Sequence, residues 1–410
     1  MRALTNLSQI ATGEGRSFLS GERQADVKVY ENHSILIHGG RIAEITRAVP
    51  PGVEEIDCGG GVAVPGFVDP HTHIAFAGNR VQEFYMRIRG TSYLDILRSG
   101  NGIYRTIRDT VNADENRIFK ETISRVWSAV RRGTTTMEMK TGYGLDQRGE
   151  EKILSAIEVI KNTGPISVVP TYLAHVVPQD VQENAYVEGI LETVKRNRQR
   201  ISYADIFCDA GAFSPEASRR FLEAAIAMGI PARIHTNEIE NVGCVKKTRG
   251  LPIVSYDHMI HFDDADLDIV KENGSSVTLL PITVFALNEA YPDARRIIDR
   301  GIPVSIATDI SPLNMNDDMI FAMHLAVRNN HMNAEEVLNA ATINPAASLG
   351  LAEKKGTIES GKDADLVVLS ARSYDEIPYL YGLDIVSMTI SRGNILYSRG
   401  DHGITDTSEA

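Results

Sequence analysis

Residues 62–73, VAVPGFVDPHTH, decide how the rest of the chain is read. The apolar and β-branched residues of 62–68, interrupted by Pro65 and Gly66, read as a buried strand, and after Asp69-Pro70 the run closes on two imidazoles, His71 and His73. Successive side chains of an extended chain point to opposite sides, so His71 and His73 share a side about 6–7 Å apart and both rings can reach one ion. Seven more short runs of this kind follow: TTTMEMK (134–140), ISVVPTYLAH (166–175), ADIFCDA (204–210), IPARIH (230–235), PIVSYDH (252–258), SSVTLLP (275–281) and PVSIATD (303–309). Longer amphipathic stretches lie between them. In SPEASRRFLEAAIAMG (214–229), Ser214 suits a helix cap, Pro215 the first turn and Gly229 the stop. Eight buried strands, each followed by a helix, are the count of a (β/α)8 TIM barrel, an α/β fold; a doubly wound sheet would show about five or six.

Outside that core the pattern is β-rich. ADVKVY, SILIHGGRIAEI with a hairpin-like break at Gly39-Gly40, and GVEEIDCGG precede it; GKDADLVVLS and SMTISRGNILY follow it. Residues 1–62 and 356–410 are expected to pair as one small β-sandwich domain built from both termini, beside a barrel of residues 63–355.

Composition narrows the class of function. The 410 residues are 43% hydrophobic and 23% charged, with 33 Gly and 16 Pro, which is ordinary for a globular protein. A formal net charge of -12 repels a polyanion, so nucleic acid is not an expected partner. No run approaches the roughly 18 apolar residues of a membrane span, and the N-terminus lacks a charged-then-apolar signal, so a soluble cytoplasmic protein with no membrane partner is expected. A homodimer is the default among soluble oligomers. Cys58, Cys208 and Cys244 are odd in number and far apart, and read as reduced thiols rather than a disulfide framework or a zinc knuckle.

The strand ends carry the chemistry, because in a barrel they point into the active site. The first run ends at His71 and His73, the third at His175, the fifth at His235, the sixth at His258 and the eighth at Asp309, so five of the eleven histidines gather at one rim. Three neutral nitrogen donors and one carboxylate suit one divalent transition metal ion, zinc or iron, with a position left open for water. His71, His73, His235 and Asp309 are assigned as its ligands, and His175 and His258 as substrate or outer-sphere groups. Such an ion lowers the pKa of its water from 15.7 toward roughly 7, and Asp309 can take or orient that proton. Glu238, three residues after His235, is a candidate general acid/base, and His258 can polarise the carbonyl under attack. Lys140 on the second run reads as a buried lysine paired with a carboxylate such as Glu138. The fourth run offers no bridging lysine for a second ion.

At these residues the chain resembles the amidohydrolase superfamily, through PGFVDPHTH and GKDADLVVL, and within it the imidazolonepropionase family. The narrower signals are HTHIAFAGNRVQEF, EMKTGYGLD, LAHVVP, ADIFCDAGAFSPEASRRFLEAA and RIHTNEIENVG, with Asp257-His258 after them. The resemblance implies hydrolytic opening of 4-imidazolone-5-propanoate to N-formimidoyl-L-glutamate, a step of histidine degradation, with zinc or iron. It keeps His71, His73, His235 and Asp309 as ligands and Glu238, His258 and Asp309 as catalytic groups. It adds Arg80, Tyr143 and His175 as contacts to a small-molecule substrate bearing a carboxylate, with Tyr93 beside them; Glu238 and Ser311 complete the substrate-binding set. A guanidinium suits the propionate, and tyrosine and histidine the polar ring.

The chain departs from the family pattern in two places. After Asp309 it has Ile310-Ser311-Pro312-Leu313-Asn314, where Asn-Pro-Gly and a small hydroxyl residue are usual one residue on; Leu313 lacks glycine's freedom for close backbone approach. After the fifth run it has Asn237 in place of an acid and Cys244 in place of a glycine, changes expected to touch substrate fit more than metal chemistry. The competing readings are a related cyclic amidohydrolase or aminohydrolase acting on another heterocycle and, in a different class, a non-catalytic binding protein that kept the barrel.

Overall fold

The structure, a computed structural model, describes residues 1–91, 95–96, 99–179 and 181–400. Two sheets organise it. The first is mixed and built from both ends of the chain: β1 (Arg2–Thr12), β2 (Lys28–Glu31), β3 (Ser34–His38), β4 (Arg41–Thr46) and β5 (Glu54–Pro65) from the N-terminal side. The second is wholly parallel and runs in chain order through β6 (Phe67–Asp69), β7 (Thr134–Lys140), β8 (Ser167–Ala174), β9 (Tyr203–Cys208), β10 (Ala232–Thr236), β11 (Ile253–His258), β12 (Ser276–Leu279) and β13 (Val304–Ile306). β14 (Leu366–Leu369), β15 (Val386–Ser391) and β16 (Asn394–Ser398) return to the first sheet, in the order β16-β15-β14-β5-β1-β3-β4 with β2 on β1. Each of the eight runs read from the sequence thus supplies one barrel strand.

The first run is divided between the sheets. Val62, Ala63, Val64 and Pro65 pair with β14, and only Phe67–Asp69 enters the barrel. Pro65 ends the first segment because proline cannot donate a ladder hydrogen bond. Gly66 then passes so close to Thr135 that a Cβ would lie 2.3 Å from its Oγ1. The β3–β4 hairpin turns on Gly39 and Gly40, both left-handed at φ 57° and 77°, as a primed two-residue turn requires.

Barrel strands are buried along their length, but their two faces differ. Ala204, Ile206, Ile234, Val277 and Leu279 belong to the apolar core beneath the surrounding helices. The alternate positions Glu138, Lys140, Asp205, Arg233, His235, Ser255 and Asp257 are also buried, and make hydrogen bonds and ion pairs across the barrel interior. The helices carry the expected signals: Ser214 accepts from Ala217 N ahead of Pro215–Ala227, and Gly229 sits at φ 78°. Among the described residues, no helix is long and apolar enough to cross a membrane.

Closure between β13 and β6 is made beyond the strands themselves. Thr308 Oγ1 donates to Asp69 Oδ2, His73 N donates to Ile310 O at 2.9 Å, and Asp309 N to His71 O at 3.2 Å. The seam that shuts the barrel is therefore the place where His71, His73 and Asp309 meet.

One sequence expectation fails. Cys208, the last residue of β9, is joined to Cys244 by a disulfide with Cα atoms 6.0 Å apart; only Cys58 is free, and it is buried. Their separation of 36 residues hid the contact, because β9 and the loop after its neighbour β10 become adjacent only once the barrel forms.

Candidate active site

The H-x-H spacing works through Thr72. Its backbone O accepts from Lys140 N at 3.1 Å and its hydroxyl donates to Glu138 O at 2.6 Å, which holds this segment against β7 and turns His71 and His73 away together. His73 Nε2 lies 3.3 Å from His71 Nε2 and 3.1 Å from His235 Nε2. Asp309 Oδ1 stands 3.4 Å from His73 Nε2 and 3.7 Å from His71 Nε2, and has no hydrogen-bond partner although it is buried. Donors at about 2.0–2.1 Å from a tetrahedral ion lie roughly 3.3 Å from one another. Ring nitrogens that face one another, beside an unpaired carboxylate oxygen at that spacing, fit a divalent cation, so these residues meet the chemistry of a metal site.

Electrostatics favours the same use. Burial first, and then nearby Lys140, hold His71 well below the usual imidazole range; burial and neighbouring His235 do so for His73, and burial and Lys140 for His235. The rings are neutral and their lone pairs available. Burial pushes Asp309 up to about 7, against the Thr283 hydroxyl, which donates to its Oδ2; a cation at Oδ1 would favour the carboxylate.

Two carboxylates stand behind the histidines. Asp257 Oδ2 is 2.8 Å from His71 Nδ1, and Asp205 Oδ2 is 3.0 Å from His235 Nδ1, though out of line with its N–H. Asp257 holds the His71 proton on Nδ1 by a hydrogen bond and Asp205 favours the same tautomer of His235 by its charge, which leaves Nε2 to bind. Both carboxylates belong to a fully buried network. Lys140 Nζ is 2.7 Å from Asp205, 2.8 Å from Glu138 and 3.9 Å from Asp257, while Arg233 reaches Asp257 at 3.3 Å and Glu138 at 3.4 Å. Burial opposes charge on Asp257, but Arg233 and Lys140 overcome it and hold that carboxyl below its ordinary range. Lys140 is thus the buried, carboxylate-paired lysine the sequence suggested. Asp205 and Arg233 were not singled out, although Arg233 precedes His235 by two positions and Asp205 lies on the inward face of β9.

A cavity of about 200 Å³ opens over the donors. His73, His235, His258 and Asp309 form part of its wall, with Arg80, Tyr143, His175, Glu238 and Ser311 around them. His71 lies behind it. Arg87, Phe207, Leu287 and Glu289 also line the cavity and carried no sequence signal. Arg80 is buried and donates from Nε to Thr106 Oγ1 at 2.8 Å. The Tyr143 ring lies tilted at 54° to that of His175 with centroids 5.3 Å apart, on a loop whose Gly142, Gly144 and Leu145 N–H groups donate to Glu150. His175 Nδ1 is 3.2 Å from Gly142 O, and burial lowers its pKa to about 3. His258 Nε2 is 3.6 Å from Glu238 Oε2, and burial takes its pKa to about 4, so its ring is neutral near pH 7. His258 also comes within 4.8 Å of the ligand atoms of His71 and His235. Burial, then the charges of Asp309 and Asp209, hold Glu238 well above the usual carboxylate range. Tyr93 lies outside the described residues.

Three of these strand exits have a left-handed backbone without glycine: Asn237 at φ 54°, His258 at φ 75° and Asp309 at φ 52°. Such conformations cost roughly 1–3 kcal/mol each and gather at functional sites. Leu313 is not among the left-handed residues, so the glycine missing there is not needed for backbone shape; Leu313 lines the cavity. The expectation for Asn237 changes too. Its side chain turns from the cavity to donate to Asp266 Oδ2 at 3.2 Å, where an acid would face another acid.

A parallel barrel with imidazoles and a carboxylate at the carboxyl ends of its strands is the framework of a metal-dependent hydrolase, and the chain belongs to the amidohydrolase family, which residues 62–396 match. Along nearly its whole length the chain resembles imidazolonepropionases: that of Thermoplasma volcanium is 50% identical over 396 residues, 97% of this chain and 98% of that one. That of Picrophilus torridus is 39% identical over 373 residues, 91% and 94% of the two chains. The chain is thus an imidazolonepropionase-family hydrolase of carbon–nitrogen bonds. Among solved structures, guanine deaminase from C. acetobutylicum with bound guanine shares the fold at a TM-score of 0.73 and 15% identity, covering 97% of this chain and all of that one.

Proposed function

We propose that this chain opens the ring of 4-imidazolone-5-propanoate by hydrolysis to N-formimidoyl-L-glutamate, using one zinc or iron ion held by His71, His73, His235 and Asp309. The observation that carries the reading is the approach of His71 Nε2, His235 Nε2 and the unpaired Asp309 Oδ1 to His73 Nε2 at 3.1–3.4 Å, with His71 Nε2 3.7 Å from the same carboxylate oxygen. A bound divalent ion supplies Lewis-acid polarisation and a water acidic enough to lose its proton near neutrality.

The protein's own groups do the rest. Asp309 takes the proton of the attacking water. Neutral His258 donates an N–H to the ring carbonyl oxygen as negative charge develops there. Glu238, whose surroundings favour the proton-bearing form, delivers a proton to the leaving ring nitrogen as the C–N bond breaks. Arg80 grips the propionate, while Tyr143, His175 and Ser311 offer hydrogen bonds to the ring and its tail.

The test is a steady-state assay on metal-loaded protein alongside metal analysis. Turnover of imidazolonepropionate with about one zinc or iron per chain, both lost in His71→Ala, supports the proposal. Turnover of a different heterocycle in its place, or a folded metal-free protein, overturns it.

A further inference from the structure

We propose that Asp209 is a positioning residue for Glu238, holding the backbone of the loop after β10 so that the Glu238 carboxyl projects into the cavity. The inference rests on the reading of Glu238 as the proton donor. Asp209 follows β9, is buried at 3% exposure and does not line the cavity. Its carboxylate accepts four backbone N–H groups: Glu238 at 2.7 Å and Ile239 at 3.1 Å on Oδ2, Glu240 at 2.9 Å and Ala210 at 2.7 Å on Oδ1.

Three consecutive N–H groups turned toward one anion make a concave nest, a shape this loop cannot keep through regular structure. It leaves β10 through the left-handed Asn237 and meets no further helix until Cys244. Its other ties flank residues 238–240: Asn237 O accepts from Ile260 N and His261 N, Asn237 and Asn241 donate to Asp266, and Cys244 is disulfide-bonded to Cys208, the residue before Asp209. Those ties hold the loop to the barrel, whereas Asp209 sets the direction of Glu238. An asparagine at 209 would present one acceptor oxygen and an NH2 group to a set of donors, so two or more N–H groups would lose their partner and the turn would shift. The remaining ties keep the loop attached, so the expected damage is to aim rather than to folding.

The experiment compares metal-loaded wild type with Asp209→Asn, Glu238→Gln and the double variant on imidazolonepropionate. Displacement of a reacting group by about 1 Å costs on the order of 10²-fold. We expect kcat of Asp209→Asn to fall about 10- to 100-fold, with KM and metal content little changed. Added to Glu238→Gln, the substitution should cost less than about twofold, because a residue that acts only through Glu238 has nothing left to position. Wild-type kcat in Asp209→Asn, or losses that multiply in the double variant, overturns the inference while leaving the role of Glu238 intact. Wild-type kcat in Glu238→Gln overturns both. If Asp209→Asn does not fold, amide hydrogen exchange on the wild type decides: slow exchange at residues 238–240 supports the grip, and exchange at the rate of free loop amides refutes it.

Discussion

Replacing Asp205 by Asn should weaken metal binding without touching a ligand. In the native site Asp205 Oδ2 faces both Lys140 Nζ at 2.7 Å and His235 Nδ1 at 3.0 Å. Both contacts fall on one oxygen, so the two orientations of an amide differ in outcome. With its NH2 group in that place it repels Lys140 and faces His235 Nδ1, and the ring must turn its lone pair there and carry its proton on Nε2. That is the nitrogen 3.1 Å from His73 Nε2 in the donor cluster, and a protonated Nε2 cannot bind an ion. With its oxygen in that place both contacts and the tautomer survive, but the charge behind the ring is gone. Loss of such a partner costs about 10- to 100-fold in metal affinity, or roughly 1.4–2.7 kcal/mol. The assay is zinc titration of metal-stripped protein against a chromophoric chelator, with thermal melting of the metal-free variant to register any penalty at Lys140. Lys140 retains Glu138 at 2.8 Å, so the fold should persist. Affinity within about twofold of wild type in a folded variant would mean that His235 does not bind the ion or that Asp205 does not orient it.

Three further outcomes follow from the site. Glu238→Gln should retain metal and lose about 10²-fold in turnover. Because its surroundings hold the native carboxyl well above its usual range and the proton-bearing form is the active one, native activity should fall as pH rises through that raised pKa. This limb should be missing from the Gln variant; unchanged turnover removes the role. Arg80→Ala should act chiefly on KM, since a charge-assisted pair contributes roughly 1.5–3 kcal/mol, about 10- to 100-fold; an unaltered KM places the propionate elsewhere. Denatured, unreduced protein should titrate one thiol, from Cys58. Reduction should lower thermal stability, by roughly 3–4 kcal/mol on a chain-entropy basis for 36 residues; three thiols without reductant, or an unshifted melting curve, contradicts the bridge.

The barrel was legible because its strands are short, buried and regularly interrupted, and because a polar residue ending such a run has few reasons to be there other than the site. His71, His73, His235 and Asp309 could therefore be gathered from positions far apart in the chain. What stayed hidden was whatever depends on two distant segments at once. TTTMEMK suggested a buried Lys140 paired with Glu138, but nothing in it says that Lys140 will also meet Asp205, two strands away in the barrel. Likewise Cys208 and Cys244, and Asp209 with the N–H groups of residues 238–240, are brought together only by the ordering of neighbouring strands. β1 was missed for a local reason: RALTNLSQIAT alternates irregularly, and its ladder with β5 is itself bulged between Thr5 and Gln9.

The division of residues 62–73 between two sheets also sets a timetable for synthesis. β5 finds β1 as soon as both have left the ribosome, but its other edge waits for β14, with about 300 residues between Pro65 and its partner Leu366. At roughly 5–20 residues per second, that edge stays open for about 15–60 s, with the Gly66 crossing, His71 and His73 just downstream of it. A nascent chain in this interval offers a strand template to any neighbour, so newly made protein, rather than the finished enzyme, is where aggregation should begin.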